Sequence, residues 1–278
     1  MQIGILYICT GKYSIFWKSF YESAEKYFLT NHKKIYYVFT DAKKIAYKEN
    51  KNVIVIFQEN LGWPYNTLMR FHIFNKNKKI LSKTDYLFFF NANMLFVSSV
   101  EEEIIPYNEG LMALQQPGIW NKPREKFPYE SNTESTAYIP PEKGKYYVMG
   151  ALNGGKTEKF LIMSKILAEN IDRDIKNEII AIWHDESHLN WYLSDKEFKL
   201  LNPSYGYPDN WELPFKPKIY LRDKNRFGGH DKLRGIKITK SKNEILFKKI
   251  YFLKKNMAKF KAYSLKIINN FIKKYDNC

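Results

Sequence analysis

Two short stretches of the chain carry residues able to do chemistry. Trp183-His184-Asp185-Glu186-Ser187-His188-Leu189-Asn190 gathers two imidazoles and two carboxylates within a few positions. On a helix, His184 and His188 would lie i, i+4, the spacing of a zinc-protease helix. The glutamate of that pattern is displaced, because Asp185 takes its position and Glu186 follows, and no third ligand is signalled. A second reading makes Asp185 an N-cap acid before a solvated helix start. A third makes Glu186 a catalytic carboxylate at a helix N-terminus, where the dipole stabilises a charge that must stay ionised. The other stretch is Tyr86-Leu-Phe-Phe-Phe-Asn91-Ala92-Asn93-Met94-Leu-Phe-Val97. Such an apolar run is a buried strand, and the paired Asn residues either turn the chain at its end or face a ligand there. Amides are poor ligands for a hard cation beside carboxylates, so a site here would work without metal. Arg222-Asp-Lys224-Asn-Arg226-Phe-Gly-Gly-His230 is either a solvated charge run or a basic loop able to cover a diphosphate.

These residues need a frame. Gln2–Tyr7 reads as a buried strand, and Thr10–Tyr13 as a turn. A helix should follow, with Ser14 as N-cap and Phe16, Phe20, Ala24 and Tyr27 on one face. Strands are expected at Lys34–Phe39, ending in Thr40-Asp41, and at Val53–Phe57. A helix capped by Asn66 or Thr67 should run to about Lys76. This alternation marks an α/β sheet, in which ligands bind outside the carboxyl ends of the strands. Thr10–Tyr13, Asp41 and Asn91–Asn93 would share that rim. Farther on, Leu111–Leu114 suggests a strand. Gln115–Pro141, with five prolines and Trp120, Tyr129 and Tyr138, is loop-like, either a packed surface loop or an aromatic loop suited to sugar faces. Tyr146–Met149 resumes a strand that enters Gly150-Ala151-Leu152-Asn153-Gly154-Gly155, where glycine serves a turn or a close ligand approach. A helix from Thr157 to about Glu169 follows.

The chain has 278 residues, 45% of them hydrophobic and 17% aromatic, enough for a sizeable core and far from disordered composition. Cys9 and Cys278 form no metal or disulfide pattern, so reduced, cytoplasmic chemistry is the default. No apolar run reaches the roughly 18–20 residues of a membrane span, and Met1–Cys9 reads as a first strand rather than a signal peptide. The net charge of +16 is uneven: Lys237–Cys278 holds twelve lysines against Glu244 and Asp276, a net +10. A body over 1–236 with a basic appendage over 237–278 is therefore expected, and a basic nucleic-acid-binding domain is not. Leu246, Ile250, Leu253, Met257, Phe260, Ile267 and Phe271 follow a 4-3 spacing in that appendage. The resulting amphipathic helix could pack on the body, pair as a coiled coil or lie on an anionic membrane surface, which its lysines and aromatics favour.

Several motifs together resemble glycosyltransferase family 6, the family of the ABO blood-group enzymes. They are Tyr36-Tyr-Val-Phe-Thr-Asp41, Phe90-Asn-Ala-Asn-Met94, Gln116-Pro-Gly118, Ser135-Thr-Ala-Tyr-Ile-Pro140, Gly154-Gly155 and Trp183-His-Asp-Glu-Ser-His-Leu-Asn190. The resemblance runs from about Ile3 to Arg234. It implies a GT-A fold and a retaining transfer from a UDP-sugar to the 3-hydroxyl of galactose. Ile8, Cys9, Thr10 and Tyr13 match the segment that holds uridine, and Arg70 matches an arginine on the donor sugar. Asn91-Ala92-Asn93 stands where most members carry a metal-binding Asp-x-Asp. Met149 and Ala151 match the pair that separates UDP-galactose from UDP-N-acetylgalactosamine.

Within the same resemblance, His184 matches an acceptor contact, Asp185 a donor contact and Glu186 the catalytic carboxylate. Gln116, with Trp120, falls in the acceptor loop, and Lys224 and Arg226 match basic residues that close over the diphosphate. Asn-x-Asn resembles the bacterial members, which work without manganese and lack the animal enzymes' membrane anchor, so no cofactor is expected. The expected donor is UDP-galactose, with UDP-N-acetylgalactosamine the alternative, and the acceptor a Fuc-α-1,2-Gal glycan. The expected location is the inner face of the cytoplasmic membrane, held there by the tail. The reading from another class is a non-catalytic glycan- or nucleotide-sugar-binding protein on the same fold.

Overall fold

The computed structural model describes residues 1–235; the basic tail expected from Lys237 lies outside them. Apolar, largely β-branched or aromatic segments pair as a seven-stranded sheet. Four strands are parallel: β1 (Gln2–Ile8), β2 (Lys33–Thr40), β3 (Val53–Phe57) and β4 (Tyr86–Phe90). A second, three-stranded sheet contains β5 (Met94–Phe96). Next in the chain are β6 (Leu111–Gln115), β7 (Val148–Lys156) and β8 (Lys199–Leu201), which complete the large sheet in the order β3-β2-β1-β4-β7-β6-β8. Here β7 runs antiparallel between β4 and β6. Two last strands, β9 (Tyr207–Pro208) and β10 (Ile219–Leu221), pair beside β5. The helices are α1 (Trp17–Tyr27), α2 (Tyr65–Leu68), α3 (Arg70–Lys76), α4 (Lys78–Leu81), α5 (Thr157–Lys176), α6 (Asp185–Leu193) and α7 (Gly229–Arg234). This is the α/β, GT-A-like architecture expected.

Alternation along each strand sends residues to two cores. Phe88 and Phe90 join Tyr7, Trp17, Phe20 and Phe96 on one side of the sheet, where Tyr7 stacks on Phe20 at 4.4 Å. Phe89 joins Phe39, Phe71, Phe74 and Phe160 on the other.

Four expectations about elements change. Ser14 does not cap α1: Gly11–Phe16 forms a 3-10 turn, and Ser14 Oγ donates to Gly11 O at 3.1 Å. The helix expected from an Asn66 or Thr67 cap to about Lys76 does end at Lys76, but Pro64 is the capping residue, a first break at Met69 divides it into α2 and α3, and α4 follows to Leu81. The second break falls at Asn77, whose Nδ2 donates to Ile73 O at 2.8 Å and so competes with the helix ladder. Gly150–Gly155 lies inside β7 rather than in a turn. A Cβ on Gly154 would meet Leu87 O at 2.5 Å, so glycine there serves close strand packing. Finally, α5 continues to Lys176, its buried face running on through Ile171 and Asp174.

Candidate active site

Topology collects the chemistry at the carboxyl ends of β1 and β4. Beyond them lies a cavity of ≈ 240 Å³ lined by Ile8, Thr10, Tyr13, Trp63, Arg70, Asn91, Ala92, Asn93, Lys224 and Arg234, among others. Its floor is fixed from below. Tyr7 donates its hydroxyl to Ala92 O at 2.7 Å, and Asn91 N donates to Ala151 O at 2.8 Å. Asn93 Nδ2 donates to Arg222 O at 2.9 Å, which leaves its Oδ1 buried without a partner. Arg222 in turn donates to Asn93 O, Ser19 Oγ and Met94 O and packs over Phe16.

Three cations face this space. Arg70 is buried, with its guanidinium 4.2 Å above the Phe89 ring and its Nε unpaired. Lys224 lies over Tyr13, and burial with Arg234 and Arg70 nearby lowers its pKa to about 8. Arg234, on α7, stacks on Trp63 at 3.5 Å. Such a convergence of cations suits an anionic ligand such as a diphosphate. It does not suit a divalent ion. The rim offers two neutral amides, one of them engaged with Arg222, and among the described residues no three His, Cys, Asp or Glu side chains converge.

The carboxylates stand behind Arg70. α6 begins at Asp185, so neither the N-cap nor the zinc reading holds. His184 is the capping residue, at φ 56° and ψ −127°, and its ring packs edge-on to Trp63 at 4.7 Å. His188 is fully buried on the far side, 3.6 Å from Asp174. The His184 conformation is costly for an L-residue and is held by its neighbours' hydrogen bonds, an arrangement that collects at working sites. Ile182 N donates to Glu130 Oε2, Trp183 N to Ser187 Oγ, and His184 N to Ala181 O. Asp185 pairs with Arg70 Nη1 at 2.6 Å, and the same nitrogen donates to Gly150 O at 2.6 Å. Burial raises the Asp185 pKa to about 6 despite Arg70. Glu186 accepts from Tyr147 Oη and from Gly150 N, both at 2.8 Å. Its pKa is pushed up to about 7 by burial, against the pull of those two donors.

The expected residues divide accordingly. Ile8, Thr10, Tyr13, Arg70, Asn91, Ala92, Asn93 and Lys224 meet at the cavity. Met149 and Ala151 flank Gly150, which contacts both Arg70 and Glu186. Cys9 does not reach the cavity. It is buried, its thiol pushed up to about 12 by burial, and its carbonyl accepts from Thr40 Oγ1. Arg226 turns away to pair with Asp209 at 3.1 Å, and Arg234 takes the place expected of it. Gln116 Oε1 accepts from Gly118 N, and Trp120 packs on Phe215; neither lines the cavity. Arg234, Trp63 and Tyr147 were not expected. The available signal was a basic residue a few positions past Gly228-Gly229 and an aromatic two before Met149.

A mostly parallel sheet with a cation-lined cavity at its carboxyl rim and a buried carboxylate pair beside it is the layout of a GT-A-type transferase. Comparison with known proteins narrows this. The model of glycosyltransferase family 6 matches residues 1–226. The O-antigen biosynthesis glycosyltransferase WbnI of Escherichia coli is 38% identical over 226 residues, covering 81% of this chain and 96% of WbnI. The histo-blood group ABO system transferase 2 of Rattus norvegicus is 34% identical, over 73% of this chain and 62% of its own length. The globoside α-1,3-N-acetylgalactosaminyltransferase 1 of Gallus gallus is 33% identical, over 80% and 65%. The chain thus spans somewhat under two thirds of those two animal relatives. It belongs to glycosyltransferase family 6 and is a hexosyltransferase.

Proposed function

We propose that the protein moves galactose from UDP-galactose to the 3-hydroxyl of a galactose-terminated, fucosylated acceptor, with retention and without a divalent metal. The observation that carries this reading is Glu186, fixed between Tyr147 and Gly150 and joined through Gly150 and Arg70 to the cation-lined cavity. UDP lies along Ile8, Thr10 and Tyr13, with its diphosphate against Lys224, Arg234 and Arg70. Those fixed cations and the Asn91 and Asn93 amides stabilise the leaving group, since preorganised charge needs no rearrangement as the bond breaks. Glu186, in the ionised form it takes as pH rises through about 7, stabilises the oxocarbenium-like anomeric carbon. Asp185 holds Arg70 in place.

Ala151 supports galactose as the transferred sugar. Its methyl, buried beside the Asn91 turn, crowds a 2-N-acetyl group, a preference worth about 1–3 kcal/mol. UDP-N-acetylgalactosamine is the second reading, favoured by the N-acetylgalactosaminyltransferase relative. The tail would hold the enzyme at the inner face of the cytoplasmic membrane, near its acceptor. No helix among the described residues is long and apolar enough to cross a membrane.

Glu186→Gln tests the assignment. Transfer should fall at least about a hundredfold while UDP affinity stays near that of the unaltered enzyme. Unchanged turnover would remove Glu186 from the mechanism, whereas no transfer by the unaltered protein would bring forward the binding-protein reading.

A further inference from the structure

The hydrogen bonds around α6 form a device that the cavity alone does not require. Glu186 and Asn190 are i, i+4 and so share one helix face, and that face is laid against the start of β7. Asn190 behaves there like a neighbouring strand. Its Oδ1 accepts from Val148 N at 2.9 Å, and its Nδ2 donates to Val148 O at 2.8 Å. The same Nδ2 donates to Glu186 O at 2.9 Å. A side-chain amide thus pairs both main-chain groups of one residue and fixes the register of the helix against the strand. With Val148 pinned, Tyr147 and Gly150 come to either side of Glu186 one turn earlier, each donating to a different carboxylate oxygen at 2.8 Å. Tyr147 is buried and its ring packs on Tyr129 at 5.3 Å, so its hydroxyl has one direction in which to point. The charged and titratable groups facing Glu186 are Tyr147, Asp185 and Arg70, which reaches from α3 to donate to Gly150 O.

We infer that Tyr147 and Asn190 are positioning residues for transfer: Asn190 sets the register of α6 on β7, and Tyr147 aims the Glu186 carboxylate and keeps it ionised. Neither belongs to the donor cavity, so neither is needed to hold UDP. The inference rests on Glu186 being the catalytic carboxylate. Tyr147 opposes the burial that raises the Glu186 pKa, since a donor to the charged form favours that form.

The test is Tyr147→Phe, which keeps the ring stack and removes only the hydroxyl, measured as a pH profile of transfer with UDP affinity alongside. Loss of one hydrogen bond to a carboxylate should lower kcat about tenfold at pH 7 and move the acid limb up by roughly one pH unit. The KM for donor and the UDP affinity should change less than about twofold, and the deficit should shrink at high pH. Asn190→Ser, which shortens the pin, should lower kcat with the same separation from UDP affinity. A Tyr147→Phe enzyme with unaltered kcat, or one slowed equally at every pH with the acid limb in place, overturns the inference. If Glu186→Gln is inactive in the same assays, that failure falls on Tyr147 alone. An active Glu186→Gln enzyme would instead remove the reading on which the inference depends.

Discussion

At the scale of single residues, the site holds charges where burial makes them expensive. Glu186 keeps its proton in the folded protein up to about pH 7, while an ordinary glutamate gives it up near 4.5. Folding therefore takes up a proton between those values, and stability from this group is lost as pH rises through that window. Glu186→Gln should accordingly raise the thermal midpoint relative to the unaltered protein at pH 8 and leave it nearly unchanged at pH 4. An equal effect at both values would mean that Glu186 is not held as described. Asn93 supports reading the amide pair as a site that works without metal rather than as a damaged metal site. Its Nδ2 is committed to Arg222 O, which also anchors the floor of the cavity. Asn93→Asp removes that donor and leaves the carbonyl unpaired, at about 1–3 kcal/mol. The variant should melt earlier and gain no manganese-dependent activity, checked by calorimetry and by transfer with and without the metal. The residue types at Asn91, Asn93 and Glu186 were legible because they stand in ordered local motifs. Tyr147 was not, because its contact with Glu186 spans 39 positions and depends on how α6 lies on β7.

At the scale of elements, strand positions followed from hydrophobic runs, and the parallel pairing of β1 with β2 and β4 from the helices that precede those strands. Glycine misled the reading of β7. Gly154-Gly155 looks like a turn because turns use glycine, yet here it removes side chains where strands crowd. A Cβ on Gly155, at φ +153°, would lie 2.2 Å from Gly110 O. Gly155→Ala should therefore cost more than about 3 kcal/mol and lower soluble yield or the thermal midpoint sharply. Gly62→Ala, at φ +72° but in open space, should cost only the strain of its backbone, about 1 kcal/mol. Comparable losses would show that strand crowding is not what β7 avoids. The break at Asn77 and the exchange of Arg226 for Arg234 have a common cause. Each turns on one side chain choosing between a local backbone or carboxylate partner and a distant one, and spacing in the chain does not record that choice.

At the scale of the whole molecule, Lys237–Cys278 holds 12 lysines, while Arg70, Lys224 and Arg234 among the described residues line one cavity. Such a division suits an enzyme that meets its soluble donor with the body and a charged surface with the tail. Removing residues after Lys240 should abolish co-sedimentation with anionic phosphatidylglycerol vesicles and leave transfer to a soluble acceptor within about twofold. Retained vesicle binding would assign the membrane contact to the body. The central claim is that fixed cations and amides replace a metal under the leaving diphosphate. It is tested most directly by transfer onto a Fuc-α-1,2-Gal acceptor in EDTA, with UDP-galactose and UDP-N-acetylgalactosamine in separate reactions read by mass. A hexose added in EDTA, undiminished from the rate with manganese, is the expected result. Product that forms only when manganese is restored would contradict it.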